Sequence, residues 1–185
     1  MTQTDPAALH RAHLDLRASE PGKRARDIAA TLGVPEAALL AACCGATDGP
    51  LRAERLRGDD FAALLRAMPS LGQVKAITRN ETVVLEVEGA YGAVEFFGHM
   101  GQSVSSIDLR IFSSRWRHAF VLTEQTRRGE RQSLQFFDAH GDAIHKDYLL
   151  PATDREAFAA LLRDFHTDDQ SPALAVEPRP APAAT

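Results

Sequence analysis

The chain has 185 residues, 44% of them hydrophobic and 25% charged, with a formal net charge of -4. That length suggests one domain, or two small ones, and a chain near ~150 residues buries roughly 68–70% of its unfolded surface, so a core forms without staples. The mild acidity argues against general nucleic-acid binding, which draws on a basic surface. Cys43 and Cys44 are the only cysteines. Adjacent thiols meet disulfide geometry poorly and offer no metal-ligand spacing, so they read as small helix-face residues of a protein from a reducing compartment. The first residues are polar and lack an apolar leader core, and no apolar run nears the ~20 residues that span a membrane. The expectation is a cytoplasmic protein with no membrane contact.

In chain order, helices come first. Leu9, His13 and Leu16 recur at helical spacing over residues 6–17, and Pro21-Gly22 breaks the pattern. A second helix is expected over 23–32, stopped by Gly33, and a third over 36–44, opened by Pro35 and closed by Gly45. A fourth, over 59–68, has Asp59 and Asp60 at its N-terminus, where negative charge is favoured. Strand grammar starts at Gln73. Residues 74–77 and 82–87 flank a turn at 78–81, and Val83, Leu85 and Val87 alternate with Val84, Glu86 and Glu88. Further strands are expected at 93–97, 107–112, 119–124, 132–138 and 143–150, with 98–101 as a turn or loop. Thr153 and Glu156 have capping-box spacing and open a last helix whose apolar face is Phe158, Leu161, Leu162 and Phe165. These elements make an α+β domain: N-terminal helices, an antiparallel sheet of about six to seven strands, and a closing helix. Residues 1–167 form the domain, and 168–185, rich in Pro and Ala, read as a disordered tail or linker.

Candidate sites are few. Residues 27–36 resemble a helix-turn-helix entry, but the second helix carries no Arg, Lys, Asn or Gln to reach bases and phosphates, so a packing helix pair is expected. Of the seven histidines, His10 and His13 share a helix face without the third and fourth ligands a zinc site needs. His140 reads as a solvated turn residue. His99, flanked by Gly98 and Gly101, sits where backbone can approach a ligand, and His118 follows an Arg/Trp cluster. The sharpest candidate is Arg110. If Leu109 and Ile111 share one strand face, Asp108, Arg110 and Phe112 share the other. Arg110 then either pairs in solvent with Asp108 or a cross-strand acid, or holds carboxylates bidentately beside the Phe112 ring, an arrangement that can recognise a flat anionic aromatic ligand. No nucleophile elbow, phosphate loop or Cys-x-x-Cys is present.

From about Arg24 to Phe165 the chain resembles the cytoplasmic haemin-degrading and haem-trafficking factors of the HemS/ChuS type. The carrying segments are RDIAATLGVPEAALLAA, LGQVKAITRNETVVLEVEGAYGAVEFFGHMG, IDLRIFSSRW and RQSLQFFDAHGDAIHKDYL. The resemblance implies one half of an internally duplicated haem protein that binds haem between its halves, with the Pro/Ala tail as the start of the inter-half linker. Arg110 and Phe112 match the family's distal arginine and neighbouring aromatic. The family's proximal histidine lies near the start of the second half, and residues 58–63, the corresponding helix here, hold no histidine. The iron ligand would then be His99, His118 or a histidine from a second copy. The implied role is haem binding in bacterial haem uptake and iron acquisition, with possible haem-oxygenase-like degradation. The alternatives are a non-enzymatic carrier or storage module, which hands haem to a separate oxygenase or uptake-system partner, and a structural half-domain that dimerises.

Overall fold

The structure is a computed structural model that describes residues 5–80 and 82–180. The first residues read for a leader, Glu81 of the 78–81 turn and the last five residues of the tail lie outside the described residues.

Three helices come first: α1 (Pro6–Ser19), α2 (Ala25–Leu32) and α3 (Glu36–Ala41). Asp5 caps α1 through the Ala7 and Ala8 amides, with Pro6 in the first turn. Gly33, at φ 67°, ends α2 in a left-handed conformation in which its N–H reaches back to the Ala29 and Ala30 carbonyls. After β1 (Leu51–Leu56) come α4 (Phe61–Ala67) and a short 3-10 turn, then β2 (Gly72–Arg79), β3 (Val84–Gly89), β4 (Val94–Phe97), β5 (Met100–Ser103) and β6 (Leu109–Phe112). The strands β7 (His118–Thr126), β8 (Gly129–Phe137) and β9 (Ala143–Thr153) follow, and α5 (Arg155–Asp164) closes the domain.

The nine strands divide into two antiparallel sheets, one of six in the order β1-β7-β8-β9-β2-β3 and one of three in the order β4-β5-β6. Both faces of the larger sheet are covered, and the alternation in β7 shows how. Ala119 and Val121 point into a core with Phe61, Leu64, Leu65, Phe158 and Leu161 from α4 and α5. Phe120 and Leu122 point into a second core with Leu9, Ile28, Leu39 and Leu40 from α1–α3. A period of two thus feeds two opposite layers. The small sheet joins the first layer through Val94 and Ile111, with Ile107 added just before β6.

The expected α+β order is present, with differences at particular elements. α3 ends at Ala41, so Cys43 and Cys44 lie beyond the helix, buried and unpaired, with Cys44 bridged to Ala53. α3 is a core helix with Ala37, Leu39, Leu40 and Ala41 almost sealed, so this pair of helices packs inward. The expected capping box is displaced by one residue. Asp154 accepts from the Glu156 and Ala157 amides, while the Thr153 hydroxyl accepts from the Leu150 amide and donates to the Gln73 carbonyl. Residues 168–180 carry no helix or strand but run against the domain. The Gln170 amide side chain bonds both the N–H and the C=O of Arg55, at 2.9 Å each, Leu174 packs on the second core, and the Glu177 N–H reaches the Ala139 carbonyl at 2.8 Å.

Candidate functional site

A cavity of about 520 Å³ opens where β6 passes through the 113–117 segment into β7, opposite the turn between β8 and β9. That volume falls within the range of small-molecule sites, roughly 300–1,000 Å³. The alternation expected for β6 holds. Ile111 is buried and Leu109 packs on the core, while Arg110 and Phe112 face outward, Phe112 at 59% exposure. Both Arg110 and Phe112 line the cavity. The pairing with Asp108 is also real, at 2.9 Å between half-exposed side chains. Such a pair is worth roughly 0–1 kcal/mol, so Arg110 is not committed to it, and its Nε and Nη2 make no hydrogen bond among the described residues.

Arg115 and Arg117 add two more guanidinium groups to the wall. Arg115 has no acid partner among the described residues, and Arg117 meets only the Glu177 carboxylate, at 3.6 Å. The apolar wall comes from Leu109, Ile111, Ile144 and Trp116. The Trp116 indole is held from behind by Phe136, with ring centroids 4.8 Å apart, and by the edge of Phe61 at 6.1 Å. The lining therefore combines guanidinium groups with apolar side chains, and Asp138 and Glu177 add two carboxylates.

The other two residues singled out from sequence lie elsewhere. His99 is exposed in the turn between β4 and β5, where its carbonyl accepts from the Ser113 amide at 3.1 Å. His118 is half-buried at the start of β7, with its Nε2 enclosed and unpartnered. Burial, with the Arg55 and Arg117 charges, holds its pKa below the usual imidazole range. Neither lines the cavity. The imidazoles that do are His140 and His145. His140, expected as a plain solvated residue, instead stands on the wall with Nδ1 3.0 Å from the Glu177 carbonyl.

His145 is the residue that sequence reasoning passed over. At 3% exposure it joins a buried network: Nε2 lies 2.7 Å from the Tyr91 hydroxyl, and Nδ1 lies 2.7 Å from Thr78 Oγ1. The same Tyr91 hydroxyl donates to Asp147, 2.9 and 3.0 Å from its two carboxylate oxygens. Burial, with Asp147 beside it, pushes the Tyr91 phenol well above its ordinary pKa, so it keeps its proton. The sequence signal was slight: His145 and Asp147 are inward residues of one strand, two apart, but Tyr91 is 54 residues from His145 and meets it only across the fold.

The fold is thus an α+β domain with one cavity that gathers three arginines and an apolar wall backed by Phe136 behind Trp116. The chain belongs to the HemS family: residues 33–165 match the family described as Haemin-degrading HemS.ChuX domain. It is 43% identical over 180 residues to "Hemin transport protein HmuS" of Yersinia pestis, covering 96% of this chain and 50% of that protein. Among solved structures it resembles holo-PhuS, described as a heme-binding protein from Pseudomonas aeruginosa, with 44% identity, a TM-score of 0.88, and coverage of 97% of this chain and 51% of that one. It also resembles the Escherichia coli O157:H7 heme degrading enzyme ChuS, with 37% identity, a TM-score of 0.82, and coverage of 96% and 53%. The chain thus spans about half the length of these three relatives.

Proposed function

We propose that this domain binds haem in the arginine-rimmed cavity and serves bacterial haem uptake and iron acquisition in the cytoplasm. The observation that carries the reading is the joint placement of Arg110, Arg115 and Arg117 with Phe112 and Trp116 around one cavity of about 520 Å³. The residues present suit the group. Guanidinium ions hold carboxylates in two-point hydrogen bonds, and the apolar wall shields the faces of a macrocycle from water. Arg110 and Arg115 have unengaged nitrogens to offer, and Arg117 would exchange its Glu177 contact for a ligand carboxylate. Haem, when bound, supplies its own redox and oxygen chemistry, and the chain's residues bind, orient and exclude water.

Two features bear on the iron. His140 lines the cavity and, if its Nδ1–H donates to the Glu177 carbonyl, Nε2 is left as a free lone pair. This is the arrangement in which a histidine is oriented for a metal. The alternative source is a second domain of the same kind. The apolar rings of Phe97 and Phe112 are 60% and 59% exposed at the edge of the site, and the relatives have room for another such domain in their length. A second copy of this chain is the form of that partner available to the isolated domain.

The test is a haemin titration followed by the Soret band. A saturable shift is expected, and Arg110→Ala should weaken affinity about tenfold, the equivalent of one charge-assisted hydrogen bond. Binding with unchanged affinity in Arg110→Ala would remove this cavity as the site. Adding reductant and oxygen in the presence of catalase then separates the two roles. A discrete tetrapyrrole product means degradation, and intact haem means a carrier.

A further inference from the structure

The buried network behind the cavity wall has a property that simple structural hydrogen bonding would not require. Asp147, Tyr91 and His145 are sealed, at 0%, 4% and 3% exposure, while Thr78 at the end of the series is exposed and lines the cavity. Thr78 and His145 also border a second, smaller cavity of about 20 Å³, room for roughly one water. The chain of contacts therefore runs from a sealed carboxylate to an open hydroxyl, with space for water alongside.

The Tyr91 hydroxyl has one hydrogen, and it is directed to Asp147. The Tyr91 oxygen can then only accept from His145, so Nε2 carries a hydrogen. This fixes one side of the imidazole and leaves two arrangements for the other. In the first, Nδ1 is a bare lone pair, and the Thr78 hydroxyl donates to it across 2.7 Å. In the second, Nδ1 carries a proton and donates to Thr78 Oγ1, which frees the Thr78 hydrogen to point into the cavity. The heavy atoms occupy the same places in both.

We propose that Asp147, Tyr91, His145 and Thr78 form a hydrogen-bond switch, in which an anionic ligand in the cavity draws one proton onto His145, so that the Thr78 hydroxyl stops donating to His145, accepts from it, and donates to the ligand instead. The inference rests on the reading that the cavity takes an anionic, carboxylate-bearing ligand. The step balances simply. The acid form of the buffer gives up a proton, its bond to hydrogen breaking as the Nδ1–H bond forms; the buffer's conjugate base stays in solution, and the Thr78 O–H rotates. The imidazolium charge is met by Asp147, whose Oδ2 is 3.3 Å from Nε2.

Charge around the ring explains why a ligand would drive this. Arg110, Arg115, Arg117 and His140 line the cavity together with Asp138 and Glu177, and Asp108 borders the small cavity. On the neighbouring β9 position, Lys146 is paired with Glu36 of α3. Phe136 and Trp116, the rings closest to His145, carry no charge. A dianion seated among those arginines adds negative potential at the wall, which favours a proton on the imidazole beyond what the protein's own charges do. Proton uptake and ligand binding then strengthen each other equally, as linkage requires.

The experiment is nitrogen-15 NMR of the histidine-labelled 185-residue chain at neutral pH, with metal-free protoporphyrin as a diamagnetic dicarboxylate probe. The His145 signals are assigned by their loss in His145→Gln. Without porphyrin, His145 should show one protonated and one bare nitrogen, and with porphyrin bound, two protonated nitrogens. Calorimetry in buffers of different ionisation enthalpy should count the matching uptake. Thr78→Val, an exposed substitution that keeps shape, should lose most of that uptake and bind several-fold more weakly, and Thr78→Ser should restore both. A His145 ring that stays neutral under bound porphyrin, or is already doubly protonated without it, overturns the switch, as does full uptake in Thr78→Val. Porphyrin absorbance in the same samples separates the failures. Without binding, the cavity reading falls and takes the switch with it. Binding with an unresponsive ring sinks the switch alone.

Discussion

His13 and His145 are nearly equally sealed, at 2% and 3% exposure, yet their surroundings differ. His145 has a partner for each nitrogen, whereas neither nitrogen of His13 has a hydrogen-bond partner among the described residues. Burial, reinforced by the Arg17 and His10 charges and opposed by Glu124, lowers the His13 pKa from 6.5 to about 4. The unfolded chain therefore binds a proton between these values that the folded chain refuses. Stability from this group is complete above pH 6.5 and is lost as pH falls toward about 4. A shift of that size corresponds to about 3 kcal/mol at most. Urea midpoints measured across this range should fall on the acid side, and His13→Leu should flatten that limb while costing little at neutral pH, since it leaves no polar atom unpaired. An unchanged acid limb in His13→Leu would assign the loss to other groups. The site was legible at the same scale only in part. Arg110 and Phe112 could be placed together because the strand period alone sets their face. His145, Tyr91 and Asp147 could not, because no local pattern reports which residues a sheet brings together from 54 positions apart.

At the scale of elements, the helix ends are governed by single side chains. Asp154 receives the Glu156 and Ala157 amides at 3.0 and 2.9 Å and starts α5, whose Phe158 and Leu161 enter the first core. Asp154→Ala should cost about 1 kcal/mol and lower the thermal midpoint by a few degrees, and no loss in a thermal scan would return the capping role to Thr153. Most elements followed from periodicity and punctuation, but two strands did not. β1 reads Leu-Arg-Ala-Glu-Arg-Leu, whose residues favour helices in isolation. Its full register against β7, from Leu51 opposite Glu124 to Leu56 opposite Ala119, overrides that preference. β5 was hidden by Gly101, which resembles a turn residue. A Cβ there would lie 2.6 Å from the Phe96 ring, so the glycine marks close packing of a side chain on a strand. The segment after α5 follows the same lesson. Its composition suits a linker, and specific bonds from Gln170 to Arg55 hold it nonetheless.

For the whole molecule, the question is what covers the small sheet. Met100 of β5 pairs with Phe97 of β4 on one side and Phe112 of β6 on the other, which lines up two exposed rings across three strands beside the cavity mouth. Val104, just beyond β5, is 63% exposed. Apolar groups grouped in this way mark an interaction surface more often than scattered ones do. A specific interface buries roughly 1,200–2,000 Å², far more than these side chains alone, so the partner must also engage the polar rim that the arginines form. Haem bridging two copies would supply that contact, because its carboxylates neutralise the guanidinium groups that otherwise keep the copies apart. Sedimentation should therefore show a monomer without haemin and a doubled mass at saturation, with one haem per two chains. Phe97→Arg lies outside the cavity wall and places a charge on the stripe. It should hold the chain monomeric and weaken haemin binding at low protein concentration, where association is limiting. A monomer that saturates with one haem per chain, equally well in Phe97→Arg, would mean that this domain completes its own site and that the stripe serves another contact.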